Sequence, residues 1–554
     1  MSLPEKIKNK ILFGIFVLLC ALFVFSLFKQ LSYPLLWNDE AETAMFAERI
    51  LDYGYPKIYD GKNTLYLFEI PGKIAWDKRT GAYIGSNWGQ YYFSTPGAIL
   101  AHKVDDIYTK TLLLRIPFAT LGLAGLVVMA LSVIRLFGNR PNNKIPFLAL
   151  FTLFELISVP LVLHLREVRY YSLLIFLLAC LFYCYINYKF FGAIGPFSYI
   201  ALTMLLLFFL FNTFSPAYFI FASTVVLYES FGLLKKIRIR LKNFIINIAP
   251  FIFSFILIVP LLIFFKTFDI SAGWVRFARG CCAPYYARIF GILDFFRNYD
   301  FLLLAVAVKG ILVSLLFFRR PEADRRFQIS DFLTLFFVIY IFAIAGMPLP
   351  ILFQRYYIAV QPILILILLI DLFAVFEIIS TIKSADLKKR LKILFAFSIT
   401  AIFLLSGINK IEPIKGHFYE LFHRYRGSLD FAIPYIKSTY KNTERLIIAT
   451  NYEEPAYMYY LGSKTIIGFV GNNLKEDIKL QPDIIIPRKG RLQGRERLFD
   501  SLLQKGHYRK ISFPVFDYYP VNNIPEIDHG RFSHLYGTLP ARNEDERLDI
   551  YVKQ

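Results

Sequence analysis

Three carboxylates fall within four residues in Leu35-Leu36-Trp37-Asn38-Asp39-Glu40-Ala41-Glu42, directly after the first apolar run of the chain. Carboxylates held against a bilayer are costly unless they are solvated, paired or put to use. One placed beside a reacting group can take a proton from a hydroxyl, which makes Asp39 the candidate base and Glu40 its rival. Further polar groups sit at the ends of later apolar runs: His164-Leu165-Arg166-Glu167-Val168-Arg169-Tyr170-Tyr171, then Trp274, Arg276 and Arg279, then Gln354-Arg355-Tyr356-Tyr357. Lys57 and Lys62 follow the acidic motif. Arginines at headgroup depth suit a phosphate, which they bind bidentately, and tyrosines offer donors and a stacking face for a sugar. Together these residues describe attack by an acceptor hydroxyl on a sugar carried by a lipid phosphate, with the leaving phosphate stabilised by guanidiniums.

Each group also has a plainer reading. Asn38-Asp39-Glu40 suits the start of a helix, where acids complement the dipole, and Glu42 reads as a solvated first-turn residue. Arg166, Glu167 and Arg169 read as a salt-bridged turn, Arg355 as a snorkelling anchor, Tyr356 as a belt aromatic and His164 as a satisfied interfacial histidine. Glu229, Asp371 and Glu377 fall towards the opposite side of the spans and read as helix–helix hydrogen bonding.

The elements that must position these residues are membrane spans. The chain has 554 residues, 56% of them hydrophobic, with 58 Phe and 36 Tyr, and its mean hydropathy is +0.49. The apolar residues come in runs of about 17–25, the length that crosses a bilayer. Spans are expected at about 11–28, 112–134, 145–164, 170–187, 197–211, 214–232, 243–265, 299–318, 331–347, 356–379 and 391–408. The first is read as a retained anchor rather than a cleaved signal. The net charge of +21 does not point to nucleic acid, because the basic residues cluster in alternate short loops, as membrane orientation requires. These clusters include Lys6/Lys8/Lys10, Arg135/Arg140/Lys144, Lys235/Lys236/Arg238/Arg240/Lys242, Arg319/Arg320/Arg325/Arg326 and Lys388/Lys389/Arg390/Lys392. They place the N-terminus in the cytoplasm, and the acidic motif and the C-terminal segment outside. Cys20, Cys180 and Cys184 lie inside apolar runs, and Cys281-Cys282 reads as a pair of free thiols in an outer loop; no zinc spacing occurs.

The long first loop, about 29–110, carries a helix-patterned stretch from Glu40 to Asp52, ended by Gly54 and Pro56. A second short helix is expected to open at Thr95-Pro96, and both are expected along the membrane surface. After residue 408 the apolar runs shorten to strand length: Leu446–Thr450, Lys464–Gly468 and Asp483–Pro487, with a helix over Glu454–Leu461 between the first two. This strand–helix–strand alternation predicts a small α/β domain.

The acidic motif Trp37-Asn38-Asp39-Glu40-Ala41-Glu42-Thr43-Ala44, the following Gly54-Tyr55-Pro56 and Gly61-Lys62, and Arg166-Glu167-Val168-Arg169-Tyr170-Tyr171 resemble the GT-C superfamily of membrane glycosyltransferases. Most similar is the branch of dolichyl-phosphate-mannose protein mannosyltransferases, lipid A aminoarabinose transferases and bacterial RgtA/B/C/D-like proteins. The resemblance implies a polytopic α-helical membrane protein of about 11 transmembrane helices with a C-terminal extracytoplasmic α/β domain. It divides into a transmembrane glycosyltransferase domain, 1–408, whose first outer loop is 29–110, and an extracytoplasmic domain, 409–554. It further implies a polyprenyl-phosphate-linked sugar as donor, inversion at the anomeric carbon and the first-loop Asp39 as catalytic base. Where relatives have a His-Pro-Pro or Lys-Pro-Pro motif, this chain reads Tyr91-Tyr92-Phe93-Ser94-Thr95-Pro96-Gly97, with Lys62 or His102 as substitutes for the basic group. Lys62, Arg166, Glu167, Arg169, Tyr170, Arg276, Arg279, Arg355 and Tyr356 are the expected donor-phosphate and sugar contacts. The partners are then the lipid-linked sugar, membrane lipid and an acceptor lipid, glycan or protein, with no nucleic acid. A divalent metal is a possible cofactor, since branches of the superfamily differ in metal use and only the carboxylates offer ligands. The competing readings are a lipid-linked sugar transporter or flippase, which requires midplane charges, broken helices and an internal repeat, and an inactive lipid-binding scaffold.

Overall fold

The computed structural model describes residues 5–65, 69–70, 73–138, 141–234, 241–269, 275, 283–318, 325–347, 352–468, 474–489, 496–517 and 541–554. Among the described residues nine helices are long and apolar enough to cross a membrane, and ten if one sharply bent pair counts as a span. The central ones are Tyr171–Lys189 and Ile358–Ser380, whose apolar windows are 72% and 67% buried; the first and last, Ile7–Phe28 and Ala385–Phe422, are peripheral at 17% and 11%. The chain is thus a polytopic helical membrane protein with a small sheet region at its C-terminal end.

Ten of the expected spans are met by helices, the run over 299–318 by Leu302–Phe318, and one is divided. The run expected over 145–164 divides into Pro141–Ile157 and Val159–His164 at Ser158. Pro160 enforces the break, because it has no N–H to continue the helical ladder and its ring crowds the preceding turn. The run expected over 299–318 is preceded by the helix Tyr285–Tyr299 and turns by 94° before the next helix begins at Leu302. The two breaks meet: the Ser158 hydroxyl donates to the buried Asp300 carboxylate at 2.9 Å. The last span does not stop at 408 but runs through a 3-10 turn, Ile408–Lys410, into the helix Ile411–Phe422.

Over one end of the bundle lies a layer built from both the first loop and the C-terminal segment. The helix Asn38–Tyr53 ends at Gly54, which takes the left-handed conformation (φ +80°) that closes a helix. The expected second helix is longer than its Thr-Pro pair suggests, spanning Gly89–His102 with Pro96 inside it. Proline removes one helical donor, and here the Thr95 hydroxyl donates instead to the Tyr92 carbonyl at 2.8 Å. Neither helix lies loose on the membrane surface. Glu42, Thr43, Ala44, Phe46 and Ala47 are buried, and Gly97 lets Gly89–His102 press against Ile107–Val133, where an added Cβ would stand 2.9 Å from the Leu113 carbonyl oxygen.

The strands are β1 (Glu69–Ile70), β2 (Lys73–Ile74), β3 (Ile447–Thr450), β4 (Lys464–Ile466), β5 (Ile484–Ile486), β6 (Tyr508–Phe516) and β7 (Arg547–Lys553). The last five form one sheet in the order β4-β3-β5-β7-β6, with β3, β4 and β5 parallel and β7 antiparallel to its neighbours. The helix Glu454–Leu461 makes the β3-to-β4 crossover, in agreement with the strand–helix–strand reading. That helix is buried along its whole length. Its Tyr457, Met458 and Tyr460 join Ala41, Met45 and Phe46 of the first loop and Ile448, Ile484 and Ile550 of the sheet in one hydrophobic core.

Candidate active site

The helix Asn38–Tyr53 presents two carboxylates in opposite directions from its first turn. Glu40 points into the protein and is fully buried. Arg115, on the helix Ile107–Val133, grips it with two parallel hydrogen bonds, Nε to Oε1 at 2.9 Å and Nη2 to Oε2 at 2.5 Å. The Val168 N–H donates to the same Oε1 at 2.9 Å, and Arg115 also donates to the carbonyls of Leu31 and Pro34. Glu40 is therefore a fully satisfied clamp that joins the first loop to the bundle. The geometry moves it out of the role of rival base.

Asp39 faces the other way and retains 16% side-chain exposure. Its Oδ2 accepts from Arg355 Nη1 at 2.6 Å and lies 3.5 Å from Arg169 Nη2, while Asn38 donates to Oδ1 at 3.1 Å. Burial pushes the Asp39 carboxyl up, but the guanidiniums of Arg169 and Arg355 and the Asn38 donor outweigh it and hold the group below the ordinary carboxylate range. Arg169 also donates to the Asp39 carbonyl at 3.1 Å and to the Thr43 hydroxyl at 3.3 Å, and it lies 3.7 Å from Glu42. Glu42 is not the solvated residue its position suggests: it is buried and accepts from the Tyr91 hydroxyl at 3.0 Å.

Arg355 stands on the short turn Gln354–Tyr356, its guanidinium 4.5 Å from the Phe353 ring and 5.3 Å from the Tyr356 ring, an arrangement that holds a cation without consuming its hydrogen-bonding fork. Tyr356 stacks towards Phe214, and Phe214 stacks on Tyr170 with ring centroids 5.1 Å apart. The Tyr170 N–H donates to Gln90 at 3.1 Å. Three separate parts of the chain thus bring Asp39, Arg169, Arg355, Tyr170 and Tyr356 together, with the two arginines on the carboxylate.

Other expected contacts lie elsewhere. Arg166 is buried and donates to the Lys29 carbonyl at 3.1 Å; burial drives its guanidinium down to about 10, against the pull of Glu420. Glu167 is buried, and its carbonyl accepts from the Arg169 N–H at 2.8 Å, shaping the turn that aims Arg169. Lys62 departs most from expectation, since its ammonium donates to the carbonyls of Glu444 and Gly462 and so ties the first loop to the sheet. His102 is exposed at the end of its helix. Arg276 and Arg279, with Trp274 and Cys281-Cys282, lie outside the described residues. Arg115, Gln90, Tyr91 and Phe214 belong to the constellation although the sequence reading assigned them no site role. Arg115 had a signal, being a lone cation in Leu112-Leu113-Leu114-Arg115-Ile116, a placement that calls for a buried partner.

The constellation does not fit a bound metal. Among the described residues no group of three or more Asp, Glu, His or Cys side chains gathers as ligands, and Asp39 and Glu42 share Arg169. Two guanidiniums around one carboxylate make a site that receives an anion or releases a proton acceptor.

No protein-family profile matches the chain, and no curated protein matches it by sequence. Solved structures do match in fold. ArnT from Cupriavidus metallidurans bound to undecaprenyl phosphate aligns with a TM-score of 0.54 at 11% identity, covering 97% of this chain and 98% of that one. The archaeal oligosaccharyltransferase AglB from Archaeoglobus fulgidus, in complex with an inhibitory peptide and a dolichol-phosphate, aligns at 0.51 and 10% identity over 97% and 77% of the two chains. A second structure of the A. fulgidus oligosaccharyltransferase, a complex with Zn and sulfate, aligns at 0.52 and 11% over 94% and 73%. Nearly the whole of this chain, bundle and sheet layer together, shares the fold of these structures.

Proposed function

We propose that the protein is an inverting glycosyltransferase that moves a sugar from a polyprenyl-phosphate carrier to an extracytoplasmic acceptor, whether lipid, glycan or protein. The observation that carries this reading is the partly open Asp39 carboxylate held between Arg169 and Arg355 at the junction of bundle and outer layer. The alignment with proteins solved in complex with undecaprenyl phosphate and dolichol-phosphate supports the choice of donor. The acceptor hydroxyl oxygen attacks the anomeric carbon, and the bond from that carbon to the phosphate oxygen breaks. The hydroxyl proton passes to Asp39, and the bonding electron pair leaves with the lipid phosphate, whose charge Arg169 and Arg355 neutralise.

Without donor, the two guanidiniums hold Asp39 as a weak base. A phosphate offers Arg355 a better bidentate acceptor, and drawing Arg355 towards it frees Oδ2 to accept the proton. Donor binding thereby prepares the base. Tyr170 and Tyr356 supply a stacking wall for the sugar. Glu40 and Arg166 hold the scaffold. The excess of Lys and Arg in alternate loops supports an integral membrane protein with a cytoplasmic N-terminus and an extracytoplasmic active face.

The test offers purified protein a panel of polyprenyl-phosphate sugars with a crude envelope extract and compares wild type with Asp39→Asn. Transfer from one donor, lost in the variant, is the expected result. Undiminished transfer by well-folded Asp39→Asn would remove Asp39 as base.

A further inference from the structure

The segment that delivers Asp39 to its arginines is held from two sides. From the bundle, Arg115 and the Val168 N–H fix Glu40, as described. From the sheet layer, the helix Glu454–Leu461 reaches across and places the Tyr460 hydroxyl against Leu36, three residues before Asp39. The Leu36 N–H donates to Tyr460 Oη at 3.0 Å, and Tyr460 Oη lies 2.5 Å from Thr111 Oγ1. The direction of each bond follows from the next. The Thr111 hydroxyl donates to the Ile107 carbonyl at 2.9 Å, so the Tyr460 hydroxyl donates to Thr111 and its oxygen is left to accept from Leu36. Every donor in this chain of bonds is used. Tyr460, Leu36 and Thr111 are all buried, so loss of the phenol oxygen would leave the Leu36 N–H with neither a partner nor water.

We infer that Tyr460 is a positioning residue for Asp39: by fixing the Leu36 backbone, the C-terminal layer sets where the first turn of Asn38–Tyr53 begins and so where Asp39 meets Arg169 and Arg355. This inference rests on the proposed role of Asp39 for its catalytic consequence, but not for the clamp itself. Misplacing a reacting group by a fraction of an ångström slows chemistry without necessarily weakening substrate binding, so the effect belongs in kcat.

The experiment uses full-length protein and the variant Tyr460→Phe, which keeps the ring in the shared core and removes only the oxygen, with Thr111→Val as a second variant that removes the acceptor of the phenol proton. Amide hydrogen exchange is read by mass spectrometry on peptides covering Leu31–Thr43, alongside steady-state sugar transfer. In Tyr460→Phe the Leu36 amide is expected to exchange about tenfold faster. Its kcat is expected to fall about tenfold, with KM for the lipid donor within about twofold of wild type. Thr111→Val is expected to give the same pattern more weakly. Unchanged exchange at Leu36 would overturn the clamp, and unchanged kcat in an active preparation would overturn its link to Asp39. If wild type transfers no sugar from any donor, the reading of Asp39 fails on its own, and the exchange rates still decide for or against the clamp.

Discussion

Arg355 donates to Asp39 at 2.6 Å across 316 residues of sequence, so the last quarter of the membrane bundle supplies a guanidinium to the first residues of the first loop. If that guanidinium passes from Asp39 to a donor phosphate, Arg355→Gln loses both the electrostatic contact and the means of priming the base. We expect kcat/KM to fall by about 10²–10³-fold, the scale of removing one preorganised donor from a developing charge, and Arg355→Lys to recover part of it. Steady-state kinetics with the lipid-linked donor reads this directly; a drop of less than threefold would take Arg355 out of the site.

The depressed Asp39 carboxyl has a defined pH signature. A carboxyl lowered by folding contributes stability that is present above its unfolded value, about 3.9, and is lost as pH falls through the folded value. In wild type the ion pair with Arg355 and Arg169 therefore persists below pH about 3.9, down to the lowered value of the folded state. Arg355→Gln removes one of the two cations, leaving the raising effect of burial less opposed. The acid limb of the kcat/KM profile should then move to higher pH. A limb that does not move in Arg355→Gln reports a group other than Asp39.

Glu40 and Arg115 should behave as a structural pair. Their side chains are 0% and 6% exposed, and removing one partner of a buried pair strands the other charge, at a cost of about 3–5 kcal/mol. Arg115→Met is expected to lower the thermal midpoint of the detergent-solubilised protein by several degrees. Adding Glu40→Leu to it should restore much of the loss, because the two substitutions are coupled. Independent, additive losses in the double variant would contradict the clamp.

Lys62, expected in sequence as a donor contact, instead bridges the first loop to the carbonyls of Glu444 and Gly462. Beside it Asn63 donates to the Ser463 carbonyl and accepts from the Thr465 N–H, each at 2.9 Å. Lys62→Met should leave KM for the lipid donor within about twofold, since the lost contact is to backbone oxygens and partly exposed. Asn63→Leu should cost about 1–3 kcal/mol by leaving buried backbone groups unpaired, read as a lower thermal midpoint. A large rise in donor KM for Lys62→Met would return that residue to the site.

Much of this arrangement is legible in the sequence, and the exceptions have physical causes. Asp39, Arg169 and Arg355 stand out because each is a charge at the end of an apolar run, where burial requires a reason. Arg115 does not, because it was absorbed into a run of leucines whose average hydropathy hides one cation. Glu42 looks solvated when the helix Asn38–Tyr53 is imagined with one face in water; Tyr91 of the helix Gly89–His102 and Arg169, both distant in sequence, close over it, and no local pattern announces them. At the bend before Leu302 the Asp300 carboxylate meets Ser158, a contact between residues 142 apart that no local pattern carries, whereas the break at Ser158 has a local cause in Pro160, which an average over the apolar run of 145–164 hides. Strands β3, β4 and β5 read easily as short isoleucine-rich runs. Strand β7 is harder to read although Leu548, Ile550 and Val552 alternate inward along it, a period-two signal diluted by Asp549 between them and by Arg547 and Lys553 at its ends.

The shared core of the outer layer also bears on the order in which the protein can become active. The Asp39 helix is among the first parts of the chain to be synthesised, yet its packing partners on the sheet side are among the last: Leu36 waits for Tyr460, made 424 residues later. A ribosome-bound chain that has already placed all its spans can set Glu40 on Arg115 and Asp39 on Arg169 and Arg355, yet its Leu36 N–H still lacks the phenol that completes it. The final setting of the acidic motif is thereby deferred until translation is nearly complete.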